Sequence, residues 1–198
     1  IFNCPKKIKA SSGFDAISQA IESLVSKNSN YKSVNYAKKS LSYSLKHYLN
    51  YLKDPSIKNS YFMSLGANYS GKAINISKTN GPHALSYPFT ANFGVQHGHA
   101  VSLTLNDFLK FNYKNQKKSS CNFSLKSRFK IIFDMTNTDS IISLDRYLLN
   151  LKKKASLEQN YLKLGVDIKK DYPKIMSQVN IQRLSNNPIN LDKEIIKK

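Results

Sequence analysis

The 198-residue chain carries two cysteines, Cys4 and Cys121, far apart and in no CxxC pattern. Neither a disulfide framework nor a thiolate zinc site is therefore expected, and a reducing cytoplasm is the default compartment. No run of about 18 apolar residues occurs, which excludes a bilayer-spanning helix. The opening residues lack the apolar stretch of a secretory signal. Glycine is scarce, at seven residues, and no GxG occurs. Without such a turn between a strand and a helix, the chain has no seat for a dinucleotide pyrophosphate. Arginine is scarcer still, being confined to Arg128, Arg146 and Arg183.

What the chain has in excess is lysine, which gives it a formal charge of +19. The lysines are scattered, with short clusters at Lys117-Lys118, Lys152-Lys153-Lys154 and Lys197-Lys198. Bidentate recognition of phosphate and guanine leans on arginine, whereas lysine is a flexible point charge found on any solvated face. The charge thus reads as solvated surface, with neither nucleic acid nor membrane expected as a partner. A lysine-rich, non-catalytic helical module that binds polyanions is the alternative.

Hydrophobic periodicity is helical throughout, and no segment of consequence alternates with the period of a strand. Residues 1–10 read as an extended lead-in, because Pro5 discourages helix. Ser11-Ser12-Gly13 offers cap chemistry before a helix over 14–25. Further helices are expected over 32–52, 57–76, 98–112, 123–135, 141–151, 157–164, 168–176 and 191–196. The segment after Gly81-Pro82 forms a short helix bearing His83 and Tyr87, closed by Pro88, with a loop to His97. Small residues at Gly66, Ala67, Ser70, Gly71 and Ala73 predict close packing on one face of the third helix. The fold class is all-α, with a helical domain over 11–198.

Of the four histidines, His83, His97 and His99 fall within nineteen residues, from Gly81 to His99. Asp15 and Gln19 lie four apart and share a helical face. A carboxylate and two imidazoles, from Asp15, His83 and His97, suit a borderline divalent metal, and Gln19 adds a carbonyl oxygen. Each residue also has a plainer reading: His83 as a hydrogen-bonded core histidine, Asp15 as a cap partner of Ser12, Gln19 as an ordinary polar position.

Gly13-Phe14-Asp15-Ala16-Ile17-Ser18-Gln19-Ala20-Ile21-Glu22, Ser70-Gly71-Lys72-Ala73-Ile74-Asn75, His83, and His97-Gly98 fourteen residues on, together resemble the C-terminal helical domain of the iron-dependent (group III) alcohol dehydrogenases. Within that family, the segments around Gln19, Lys72, His83 and His97 look most like the phosphonoacetaldehyde reductase branch. The resemblance implies the helical half of a two-domain, dehydroquinate synthase-like fold whose N-terminal α/β cofactor domain is absent here. The opening Ile1 fits a fragment or a processed piece.

The resemblance also implies a metal, Fe²⁺ first with Zn²⁺ or Mn²⁺ as options, held by Asp15, Gln19, His83 and His97. Most members have histidine where Gln19 stands, and many have another where Tyr87 stands. It implies hydride transfer from NAD(P)H bound by the other domain, with Tyr87 or His99 relaying the proton. It further implies an aldehyde substrate, phosphonoacetaldehyde, with Lys72 and Lys78 on its phosphonate, and a homodimer at full length. An inactive, decayed family member is the second alternative.

Overall fold

In the computed structural model, which describes residues 4–191, helix α1 (Lys6–Val25) occupies the centre. Phe14, Ile17, Ala20, Ile21, Leu24 and Val25 recur at helical spacing, and all are buried. Around α1 stand α2 (Tyr31–Lys53), α3 (Ile57–Ser77) and α5 (His97–Lys114). α4 (Gly81–Phe93) lies along α5, and α6 (Leu125–Thr136) and α7 (Ile141–Lys154) close the bundle with Phe129, Ile132, Leu144 and Leu148. α8 (Ile168–Ser177) and α9 (Ile181–Leu184) pack on α4. No strand occurs among the described residues, so the chain is all-α as expected. Truncating one of the central side chains, such as Ile17→Ala, costs about 2–5 kcal/mol.

The extended lead-in over residues 1–10 is corrected from Lys6 onward, where the chain is already helical. Pro5 is the residue that starts the helix: its missing N–H costs nothing at a helix entry, where that donor has no intrahelical partner. Its carbonyl accepts from the amides of Ile8 and Lys9, both at 3.0 Å. Gly13 therefore lies inside the helix, where a Cβ would come within 2.6 Å of the Tyr48 ring. Tyr48 is fully buried and its hydroxyl donates to the Ala10 carbonyl at 2.6 Å. Ser12 donates to the Ile8 carbonyl, so it does not cap a helix ahead of Asp15.

The close packing expected of α3 is carried by Gly66, Ser70 and Ala73, which are buried; Ala67 and Gly71 are exposed. The contact is partly polar, with Ser77 donating to Ser23 at 2.8 Å and Ser40 to the Gly66 carbonyl at 2.8 Å.

Pro88 does not close α4, which runs on to Phe93 and stops at Gly94 in the left-handed conformation, φ +65°. A proline inside a helix leaves the carbonyl four residues back without its donor. Here the Ala84 carbonyl is supplied instead by the backbone N–H of Asn180, at 3.3 Å. The same contact anchors the unanticipated α9, whose cap is the Asn180 side chain accepting from Arg183 N–H. The helix expected over 157–164 is reduced to a 3-10 turn, Leu162–Leu164, ended by Gly165. Lys152, counted among the solvated lysines, is 1% exposed. The helix expected over 191–196 lies, beyond Leu191, outside the described residues.

Candidate metal centre

Three elements converge on one point. α1 contributes Asp15, the first turn of α4 carries His83, and the first residue of α5 is His97. One ligand atom from each lies within 4.8 Å of the others. The approach of α5 depends on Gly98: a Cβ there would stand 2.1 Å from the Ser11 carbonyl oxygen and 2.6 Å from Asp15 Cβ. Glycine thus lets the start of α5 press against α1 at the turn that carries Asp15.

His83 is 2% exposed and held from behind by Glu22, itself 1% exposed. Glu22 Oε2 accepts from His83 Nδ1, and Oε1 accepts from the His83 and Asn80 amides at 3.4 and 3.1 Å. With Nδ1 donating, the neutral ring presents its lone pair at Nε2. That atom lies 3.2 Å from Asp15 Oδ1, and apart from each other neither has a polar partner among the described residues. Two buried acceptors facing each other repel unless a proton or a cation stands between them. Burial pulls the imidazole pKa down, but Glu22 and Asp15 outweigh it and raise His83 to about 9.

His97 is held differently. Its Nδ1 makes a long 3.4 Å contact with Ser86 Oγ, whose own proton goes to the His83 carbonyl. The ring therefore donates at Nδ1 and keeps Nε2 as its acceptor. Burial pushes its pKa down, Asp15 opposes, and His83 and Arg183 add to the fall. A neutral imidazole, a second imidazole fixed by a carboxylate, and Asp15 Oδ1 form the donor set. Ligands about 2.1 Å from a tetrahedral ion stand about 3.4 Å apart, close to the 3.2 Å seen between Asp15 and His83. The three donors, all within 4.8 Å of one another, fit a divalent ion, which Asp15, His83 and His97 would hold.

Gln19 stands beside Asp15, but its Nε2 donates to Asp15 Oδ2 at 2.8 Å and its Oε1 accepts from Ser70 at 2.9 Å. It presents an N–H to the carboxylate where the sequence reading made it an oxygen donor to the cation. Asp15, an acceptor on both oxygens, dictates that orientation. Tyr87 sits at the edge of the centre, exposed, its ring 5.7 Å from that of His97. His99 is not brought there: two residues after His97, it points away along α5, and its Nε2 bonds the Glu158 carbonyl at 2.6 Å. Lys72 is exposed over the Tyr69 ring, whereas Lys78 lines a polar pocket beside α9.

Two residues escaped the sequence reading. Glu22 falls seven after Asp15, on the same helical stripe, and a carboxylate there within an apolar run was the available signal. Arg183 is brought close only by the fold, its guanidinium 5.4 Å from the Tyr87 ring centroid.

Comparison with known proteins agrees with this architecture. The family model described as Fe-containing alcohol dehydrogenase family, C-terminal, matches residues 9–198. A phosphonoacetaldehyde reductase of Streptomyces viridochromogenes is 45% identical over 47 residues, 24% of this chain and 12% of that protein. A 4-hydroxybutyrate dehydrogenase of Clostridium kluyveri is 30% identical over 113 residues, 56% of this chain and 30% of that protein. The structure of sulfoacetaldehyde reductase from Bifidobacterium kashiwanohense in complex with NAD⁺ superposes with a TM-score of 0.83 at 22% identity, over 98% of this chain and 50% of that one. The chain thus spans about half the length of that solved structure. No helix among the described residues is long and apolar enough to cross a membrane. With its helices and nearly its whole length matched, the chain belongs to the iron-containing alcohol dehydrogenase family, of which it carries the C-terminal region.

Proposed function

We propose that this chain is the metal-binding part of a NAD(P)-dependent aldehyde reductase whose substrate carries an anionic tail, phosphonoacetaldehyde being reduced to 2-hydroxyethylphosphonate. The observation that carries the reading is the pair of buried, otherwise unpartnered acceptors, Asp15 Oδ1 and His83 Nε2, beside His97. Two relatives support the substrate class, since phosphonoacetaldehyde ends in a phosphonate and 4-hydroxybutyrate in a carboxylate.

Asp15, His83 and His97 would hold the ion. Two histidines and one carboxylate with an open position favour Fe²⁺, and Zn²⁺ suits the same donors. Such an ion supplies Lewis acidity toward a carbonyl oxygen. With an ion bound, both imidazoles would be neutral and Asp15 would cancel only half of a dication's charge, so the three ligands would leave it net positive. Glu22 fixes the His83 tautomer and Ser86 that of His97, which keeps both Nε2 lone pairs directed inward. Gln19 holds Asp15 by its second oxygen. Tyr87, at the exposed edge, is the residue placed to give a proton to a nascent alkoxide. The electrons require a nicotinamide hydride donor. The described residues have no strand and no glycine-rich turn to hold one, so no step within this chain is assigned to it.

The test is metal content. The purified protein should bind one Fe or Zn per chain, and His83→Ala or His97→Ala should each abolish that uptake. Stoichiometric metal retained in the double variant would remove the ligand set.

A further inference from the structure

We infer that Arg183 and Lys78 form a binding site for a phosphonate or phosphate group, in a pocket linked to the candidate metal centre through Tyr87. The inference rests on the reductase reading for the ligand's identity, but the site itself is argued from its own chemistry.

The pocket, of about 580 Å³, lies between the C-terminal end of α3 and α9. Its polar lining includes Lys78, Arg183, Asn75, Asn180, Gln182 and Asn186, and no carboxylate lines it. Two cations thus share a concave surface with no counter-charge. Arg183 forms no ion pair with any carboxylate among the described residues. Of the guanidinium's five N–H groups, one is engaged, donating from Nη1 to Thr79 Oγ1. Lys78 Nζ spends one donor on the Asn75 carbonyl at 2.9 Å. The free donors of both residues match the acceptor-rich, doubly charged face of a phosphonate.

Position ties the pocket to the reaction. Arg183 stacks over Tyr87 at 5.4 Å, Tyr87 lies 5.7 Å from the His97 ring, and the positive charge of Arg183 is felt at His97. An anionic tail on Arg183 would lie beside the ring that flanks the metal ligand, with a small aldehyde group able to extend toward the centre. The site is also firmly built. Asn186 is buried and donates to the carbonyls of Ser77 and Thr79 at 2.8 and 2.9 Å, tying α9 to the end of α3. Lys78 ends α3 with φ +57°, a backbone state rare for residues other than glycine, and this places its side chain on the pocket wall. A dinucleotide phosphate presents the same chemistry, and the test separates the two sources.

Methylphosphonate binding is titrated by calorimetry on the purified, metal-stripped protein, and NADH binding by fluorescence. Arg183→Gln and Lys78→Gln should each weaken methylphosphonate by about tenfold or more, the scale of a lost charge-assisted bond. Lys117→Gln, on an exposed turn, should change it less than twofold, and any NADH binding should be the same in every variant as in the parent. Equal weakening by Lys117→Gln would mean diffuse attraction to a basic chain and would overturn the site. Loss of NADH affinity with methylphosphonate binding intact would assign the pocket to the cofactor instead and overturn the substrate role. If Arg183→Gln fails to fold, the exposed Lys78→Gln decides. Because metal is absent from the titration, failure of the metal reading leaves this outcome untouched, and the reverse also holds.

Discussion

Glu22 grips His83 at two points, taking the ring proton at Nδ1 with one carboxylate oxygen and the backbone amide with the other. Both residues are buried, so this grip sets which nitrogen of the ring faces Asp15. A carboxylate behind a ligand histidine raises its basicity and locks its orientation.

Glu22→Gln keeps the shape but removes the charge. Metal affinity should fall about 10- to 100-fold, as measured by competition with a chromophoric chelator. Unchanged affinity would mean that Glu22 serves folding alone.

Gly98→Ala places a methyl group into the Ser11 carbonyl and Asp15 Cβ, both backbone or near-backbone atoms that cannot swing aside. The start of α5 must retreat, at a cost of about 1–3 kcal/mol in denaturant unfolding. His97 should retreat with it, so metal content falls even in protein that remains folded. A metal-replete, equally stable variant would show that α1 and α5 do not meet as described.

Gln19→His introduces an imidazole beside Asp15 where an amide N–H now stands. Zinc and iron affinity should rise about tenfold or more in the same competition measurement, because imidazole is the better donor for both ions. A fall would mean that the Gln19–Asp15 hydrogen bond matters more than a fourth ligand.

Lys152 gives a pH dependence free of the metal. It is buried against α5 with the Ser102 carbonyl as acceptor at 2.9 Å, and burial lowers its pKa from 10.5 to about 8. Between those values the unfolded chain binds the extra proton, so this residue's contribution to stability rises with pH through that window. Comparison with Lys152→Met should reveal a difference on the order of 2 kcal/mol in the stability change between pH 7.5 and 10, read by urea unfolding. Parallel profiles would mean that the amine is solvated in the folded state.

The helices were legible wherever apolar residues repeat on one face, as in α1, α2 and α5, because that pattern is what buries them. Proline misled twice for a shared reason. In the sequence Pro5 and Pro88 look like breaks, yet what a proline does depends on whether its lost donor matters. At Pro5 the donor had no partner to lose, and at Pro88 Asn180 replaces it from ninety-two residues later. No local pattern could announce that replacement.

Asp15, His83 and His97 stood out as metal-ligand residue types, and the family resemblance joined them. Their partners did not, since Ser70 behind Gln19 and Arg183 over Tyr87 are long-range contacts. His99 shows the converse: its nearness to His97 in sequence puts it on the far side of the helix.

Anomalous diffraction from crystals of the protein grown with Fe²⁺ or Zn²⁺ tests the central claim most directly. The account predicts one strong peak about 2.0–2.2 Å from Asp15 Oδ1, His83 Nε2 and His97 Nε2. A peak elsewhere, or none between those three atoms at saturating metal, would contradict it.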